Sequence, residues 1–482
     1  MQMKYLKLLW KLYRLKKNIR KTPARIRKLQ EKKLRKMLAY AYEHSDYYRK
    51  SFEQAGIGRE NIADTPLSAF PVIDKKLLLQ NFDELVTVSE LKQEKLRRFD
   101  AEETGNRKLF QGKYHIVHSS GSTGKPGYFV YDENAWNDML SGIIRAALWN
   151  MSMPQMLRFL AKGPRIVYIA ATDGRYGGAM AVGDGIDGVG ASQLYLDIKM
   201  PLAEWVHQIR EFAPNMIIGY PSAVKILGEL VEEGGIEIDV FRVITCGEPL
   251  GASLRRYLEE AFRAEVINFY GASESLALGV ESSAAEGMVL FDDMNVIEMQ
   301  EGSMYVTSLY NFAQPLIRYH LEDSFVLEQP KEGNSCPFTK AAGLLGRNED
   351  ILWFEDGSGK REFLHPLAVE GICVEGLRDY QFCQNCEDSF EMFAEISQTA
   401  DEEEIRMKIL AQMKRILEEK GLGFVQFYVR FVDEIRPDMQ TGKKRLIIKR
   451  CHARQDSLSF KHSHALGNGL AGKRAERMEE VV

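Results

Sequence analysis

The chain has few cysteines for its length, six in 482 residues. That is too sparse for a disulfide framework and points to a reducing, cytoplasmic setting. No apolar run reaches the ~18 residues that a membrane-spanning helix needs. The N-terminus lacks an apolar stretch followed by a small-residue cleavage site, so no secretory signal is read there. A large net charge is also missing: 64 basic against 68 acidic residues leave −4, and nothing global suggests nucleic acid. Internal repeats and long low-complexity segments are absent. What is present is 45% hydrophobic and 27% charged, an ordinary globular composition with room for two or three domains.

The densest chemical signal lies in HSSGSTGKPGYFVYD, 118–132. Ser119, Ser120, Ser122 and Thr123 supply hydroxyls, Gly121 and Gly124 bring the backbone close, and Lys125 adds a positive charge. Hydroxyls, bare N–H groups and a lysine suit phosphate oxygens. A surface turn is the plain alternative, because Ser, Gly and Pro dominate turns. A mononucleotide P-loop is excluded: its two glycines stand further apart, and Ser or Thr, not Pro126, follows its lysine.

Downstream, strand and helix patterns alternate. RIVYIAAT (165–172), NMIIGY (215–220), FRVITCG (241–247) and EVINFYG (265–271) read as strands. SAVKILGELVEEG (222–234) and LGASLRRYLEEAFR (250–263) read as helices. This alternation predicts βαβ units and a parallel sheet. In such sheets ligands sit outside the carboxyl ends of the strands. The phrases GYPS, CGEPL and YGASES therefore fall along one edge, where a cleft is expected.

The loop at 119–125, TCGEPL (245–250) and FYGASES (269–275) resemble motifs of the adenylate-forming (acyl-activating) enzymes, most of all the phenylacetate–CoA ligase and capsule-biosynthesis branch. The resemblance runs from about Lys28 to Arg445. It implies an α/β fold: a large N-terminal domain with mostly parallel sheets flanked by helices, plus a small mobile α+β C-terminal domain. It places Gly247, Glu248 and Pro249 beside adenine, and Tyr270 as the ring that stacks on it. Gly271, Ala272 and Ser273 complete the ATP site, and Glu274 would hold Mg²⁺ between the phosphates. One carboxylate plus phosphate oxygens is how Mg²⁺ prefers to be bound. The plain alternative for Glu274 is an acid favoured at a helix N-terminus.

QPLIRYHLEDSF (314–325) is similar to the segment whose aspartate holds the ribose, which implies that role for Asp323. Leu321 and Glu322 depart from the usual Thr-Gly. LLGRNEDIL (344–352) resembles the phrase that ends the large domain, so Arg347 is implied at the ribose or phosphate and Glu349 at the hinge. RPDMQTGKKRLIIKR (436–450) resembles the C-terminal catalytic loop and implies that Lys443 bridges the carboxylate and the α-phosphate. A basic turn is the alternative there. Thr123 and Glu274 join Lys443 as the implied catalytic set.

The expected organisation is a basic helical extension over 1–37, the large domain over 38–346, a small lid over 347–450 and a disordered tail over 451–482. The stretch 25–56 reads as one helix ending at Gly56. The extension holds one acidic residue, Glu31, and mixes leucines, Trp10 and Tyr13 with lysines and arginines. It reads either as a helix packed on the domain or as one lying on an anionic membrane surface. Cys383 and Cys386 form a lone C-x-x-C, short of a zinc set. His115 and His118 read as strand or core histidines.

The function implied is ATP-dependent activation of a carboxylic acid, aryl or arylacetic by default, to an acyl-adenylate, followed by transfer to the thiol of CoA. ATP, Mg²⁺ and CoA are the implied small molecules, and a homodimer is one assembly the N-terminal helices allow. Transfer to a sugar hydroxyl or an amine stays open. So does a nucleotide-binding scaffold that has lost catalysis. Tyr220, Pro221 and Ser222 are candidates for the acid pocket.

Overall fold

The computed structural model describes residues 2–101, 109–118, 127–170, 180–181, 183–184, 191–197, 200, 202–282, 287–300, 302–321, 323–328, 330, 336–347, 352–355, 361–364, 369, 372–384, 386, 388–397, 399–419, 421–436 and 445–449. They form two compact units, Met1–Ile351 with Arg436–Leu446, and Leu352–Ile435 with Ile447–Val482.

The first unit opens with α1 (Gln2–Asn18), α2 (Pro23–His44) and α3 (Asp46–Gln54). The single helix expected over 25–56 is in fact two. Ser45 takes extended dihedrals, and its hydroxyl accepts the Tyr48 N–H at 3.3 Å, so it ends α2 and caps α3. The apolar spacing continues across this break, which is why periodicity alone hides it. Thr22 caps α2 and Pro23 occupies its first turn, where a missing N–H costs nothing. Position 37 falls inside α2, so the basic extension and the chain after it share one helix.

Next come α4 (Lys75–Leu85), α5 (Gln93–Ala101), the antiparallel hairpin β1 (Tyr114–His118) and β2 (Tyr128–Asp132), then α6 (Glu133–Ala147) and α7 (Met153–Lys162). The alternating segment follows: β3 (Arg165–Ala170), β4 (Ser192–Asp197), α8 (Leu202–Phe212), β5 (Met216–Gly219), α9 (Pro221–Glu232), β6 (Arg242–Cys246), α10 (Ala252–Phe262) and β7 (Val266–Ala272). Strands close the unit: β8 (Ser275–Ser282), β9 (Met288–Leu290), β10 (Asn295–Gln300), β11 (Ser303–Ser308), β12 (Tyr319–Leu321), β13 (Asp323–Glu328) and β14 (Lys340–Arg347).

Nine strands make the main sheet in the order β13-β14-β9-β8-β7-β6-β5-β3-β4. From β4 to β7 every pairing is parallel, as the βαβ pattern predicts. From β7 to β13 every pairing is antiparallel. Alternation sorts the side chains of the parallel half onto two faces. Ile166, Met216, Ile244 and Ile267 join a core that includes Trp136 and Leu140 of α6. Their neighbours Val167, Ile217, Val243 and Val266 join another with Val224 and Leu227 of α9 and Leu254 and Leu258 of α10. Each such aliphatic side chain contributes roughly 1.5–3 kcal/mol by leaving water. Burial on both faces explains why these strands read as near-continuous apolar runs.

The second unit holds the hairpin β15 (Leu352–Glu355) and β16 (Arg361–Leu364), then β17 (Leu377–Gln384), β18 (Ser389–Ile396), α11 (Glu402–Glu419), β19 (Gln426–Phe431) and β20 (Ile447–Lys449). A four-stranded sheet runs β19-β18-β17-β20. Ile405, Ile409, Met413 and Leu417 form the buried stripe of α11. Strand β17 buries Cys383, while Cys386 lies exposed beyond its end.

Candidate active site

Parallel register brings three strand ends level. Gly219 of β5 pairs with Thr245 of β6, and Cys246 of β6 pairs with Phe269 of β7. The phrases GYPS, CGEPL and YGASES thus leave the sheet side by side on its carboxyl edge.

The first two are clasped together. Helix α9 starts at Pro221, and its cap residue Tyr220 offers no side-chain hydrogen bond. Glu248 supplies one from the neighbouring loop. Its buried carboxylate accepts the Ser222 N–H and the Ser222 hydroxyl, each at 2.9 Å. A carboxylate at a helix N-terminus is favoured by the exposed N–H groups there. Gly247 makes the turn out of β6 at φ +80°, where a Cβ would strain the backbone.

YGASES is a tight hairpin rather than the start of a helix. Ala272 pairs with Ser275, so Ser273 and Glu274 are its two tip residues. The helix N-terminus considered as an alternative for Glu274 is therefore overturned: the chain turns back into β8 before one could form. A Cβ at Gly271 would run into the Leu276 carbonyl oxygen, so this return path needs glycine. The Tyr131 hydroxyl of β2 donates to the carbonyls of Ser273 at 3.1 Å and Glu274 at 3.4 Å. Burial pushes the Tyr131 phenol well above its ordinary pKa, which keeps it a donor. The Tyr319 hydroxyl lies 3.5 Å from the Glu274 carboxylate. Glu274 is only half-buried, and its hard oxygens suit Mg²⁺.

The Tyr270 hydroxyl donates to Asp323 at 2.6 Å, and the ring packs edge-on against Phe325 at 5.4 Å. Asp323 pairs across the ladder with Arg347, so register brings the two ribose candidates opposite each other. Leu321 packs into the core, where the usual threonine is smaller and polar. Arg318, at φ +48°, turns inward to Glu298 at 3.1 Å and to the carbonyls of Ser68 and Phe70 at 2.8 and 2.7 Å. It fixes this segment in place.

His118 and Tyr128 are paired across the antiparallel hairpin of β1 and β2. Ser119, Ser120, Gly121, Ser122, Thr123, Gly124 and Lys125 themselves lie outside the described residues, as do Glu322, Glu349 and Lys443. The free edge of β2 is held by amides: Val130 N–H donates to Gln314 at 2.7 Å, and Asn311 donates to the Val130 carbonyl at 2.9 Å. Sequence reasoning assigned no role to Tyr131, Asn311 or Gln314. An amide inside an apolar run is the one signal that could have singled out Gln314. His115 stacks on Trp136 at 4.1 Å in the core.

No protein-family model matches the chain. In sequence it is 26% identical over 349 residues to phenylacetate–coenzyme A ligase of Pseudomonas putida, covering 68% of this chain and 72% of that one. Protein CapK of Staphylococcus aureus is 23% identical over 431 residues, covering 87% and 88%. The crystal structure of 2-hydroxyisobutyryl-CoA ligase in the postadenylation state with 2-HIB-AMP superposes with a TM-score of 0.64, at 18% identity, over 87% of this chain and 89% of that one. The chain is a relative of the adenylate-forming enzymes. As in its adenylate-forming relatives, the large α/β part precedes a small α+β part.

Proposed function

We propose that the chain activates a carboxylic acid with ATP, forming an acyl-adenylate and pyrophosphate, and then passes the acyl group to the thiol of CoA. The observation that carries this reading is that Glu248 follows β6 while Tyr270 and Glu274 stand at the end of the adjacent β7, with the Tyr270 hydroxyl bonded to Asp323 and Glu248 bonded to Ser222. Likeness to phenylacetate–coenzyme A ligases supports the reaction class.

In this reading the segment Ser119–Lys125 holds the departing phosphates, and Gly247, Glu248, Pro249, Tyr270, Gly271, Ala272 and Ser273 form the base pocket. Asp323 and Arg347 meet the ribose. Glu274 would hold Mg²⁺, which when bound neutralises phosphate charge. The substrate carboxylate attacks the α-phosphorus, and the bond to pyrophosphate breaks. It needs no general base, because it is already ionised at neutral pH. Positioning and charge neutralisation dominate such chemistry. Lys443 faces the attacking carboxylate in the first step. Attack of the CoA thiol on the acyl carbon then breaks its bond to the phosphate oxygen and releases AMP.

The test is acid-dependent exchange of labelled pyrophosphate into ATP, screened over aryl, arylacetic and fatty acids, followed by AMP release with CoA. Lys443→Ala should lower the exchange rate by on the order of 10²–10³. No exchange with any acid would replace this reading with the nucleotide-binding scaffold. A second acceptor class is kept because the indoleacetate–lysine synthetase of Pseudomonas savastanoi, whose name specifies an amine, is 28% identical over 136 residues, 27% of this chain. AMP release with amines but not with CoA would favour it.

A further inference from the structure

Helix α1 presents two different faces. One is locked down. Leu8 is buried, Lys11 binds Asp138 at 2.8 Å and the Asn134 carbonyl at 2.9 Å, and Asn18 donates to Asp293 at 2.7 Å. Asp293 is itself paired with Arg145 inside the core. The spacing 8, 11, 15, 18 is one helical stripe, and Leu15 packs on the same core.

The other face carries Leu9, Trp10 and Tyr13, which stay 57–63% exposed. Three large apolar side chains grouped on one face of a surface helix call for an occupant. Around them Lys7, Arg14 and Lys17 are exposed, and the Arg14 guanidinium lies 4.6 Å over the Trp10 ring. Residues 1–30 contain eleven lysines and arginines and no acidic residue. No helix among the described residues is long and apolar enough to cross a membrane, so any lipid contact of these helices lies along the surface.

We propose that this face of α1 docks on an anionic phospholipid bilayer, with Leu9, Trp10 and Tyr13 in the headgroup boundary and the basic residues against lipid phosphates. Charge decides between occupants. A symmetric pairing of two copies would oppose like charges across the two-fold axis. A bilayer surface offers the opposite sign, and each lysine or arginine near it gains about 1 kcal/mol. Trp and Tyr are the side chains that favour this boundary, apolar in body and polar at the tip. Docking would hold the enzyme where an amphiphilic acid or acceptor is concentrated, without altering the catalytic edge.

The full chain is centrifuged with vesicles of pure phosphatidylcholine and with vesicles that also contain phosphatidylglycerol. Binding is expected only to the second kind and should weaken steeply with salt. Trp10→Ala with Tyr13→Ala should lower the partition coefficient at least tenfold. Lys7→Glu, Arg14→Glu and Lys17→Glu together should lower it on the order of 100-fold. These positions face solvent, so thermal midpoints and pyrophosphate exchange without vesicles should not change. Equal pelleting on both vesicle types, or variants that bind like the parent, overturns the proposal. So does a concentration-dependent dimer that Trp10→Ala with Tyr13→Ala abolishes, which would assign the face to a second copy.

Discussion

The Glu248–Ser222 clasp gives the most direct test of how the site is held. Two hydrogen bonds join loops that follow different strands, both at 2.9 Å and both buried. A hydrogen bond to an ionised group contributes about 1.5–3 kcal/mol. Ser222→Ala removes the hydroxyl bond and leaves the backbone N–H bond in place, so it should cost about 1.5–2 kcal/mol. Glu248→Ala removes both and leaves two buried donors unpaired, for about 3–5 kcal/mol with the helix-end term included. Because the two changes share one interaction, the double variant should fall short of the sum by about 1–2 kcal/mol. Urea unfolding of the four proteins measures that coupling. The same displacement frees CGEPL from GYPS, and a shift of this kind costs up to about 100-fold in rate. Pyrophosphate exchange should therefore fall in Glu248→Ala even where the protein is fully folded. Additive stabilities, or a folded Glu248→Ala with parental exchange, would refute the clasp.

Two further predictions concern the core beneath α1. Burial alone would push the Asp293 carboxyl up, but Arg145, bonded to both its oxygens at 2.8 and 3.0 Å, outweighs it and holds it below its usual value. The pair therefore contributes stability above the unfolded pKa, lost as pH falls through the folded one. Asp293→Asn leaves Arg145 buried and uncompensated and should cost about 3–5 kcal/mol in urea unfolding at neutral pH. The neighbouring Asp292 shifts the opposite way: burial pushes it up to about 6, against the Thr339 N–H it accepts at 2.6 Å. The native state then binds the proton more tightly, so stability should drop as pH rises from about 4 to 6. Asp292→Asn keeps the acceptor, should flatten that window, and should gain about 1–2 kcal/mol at pH 7. A parental pH profile in that variant would count against the assignment.

The parallel half of the sheet was legible because its strands are buried on both faces and its helices carry full-length apolar stripes. Val243 and Ile244 announce a strand whichever face each one takes. The antiparallel half was less legible. Met288–Leu290 is only three residues long, and the β7–β8 hairpin turns on Ser273 and Glu274, which also suit a helix start. The break at Ser45 was hidden for a similar reason: capping depends on one hydroxyl and leaves the apolar pattern intact. In the small unit, LRDYQFCQ mixes polar and apolar residues without clean alternation, and pairing with both neighbours makes it a strand.

Local pattern determined which residues form the parallel strands and the helices between them, because propensity and amphipathic spacing act over a few neighbouring positions. It also placed three chemically rich turns on one sheet edge, since a parallel βαβ chain has no other way to run. Tertiary structure alone decided the partners: Glu248 with Ser222, Tyr270 with Asp323, and Tyr131 with the hairpin tip. Those contacts join residues 26, 53 and 142 positions apart. No local rule relates such positions. Only the packing of strands in register brings their polar atoms within hydrogen-bonding reach.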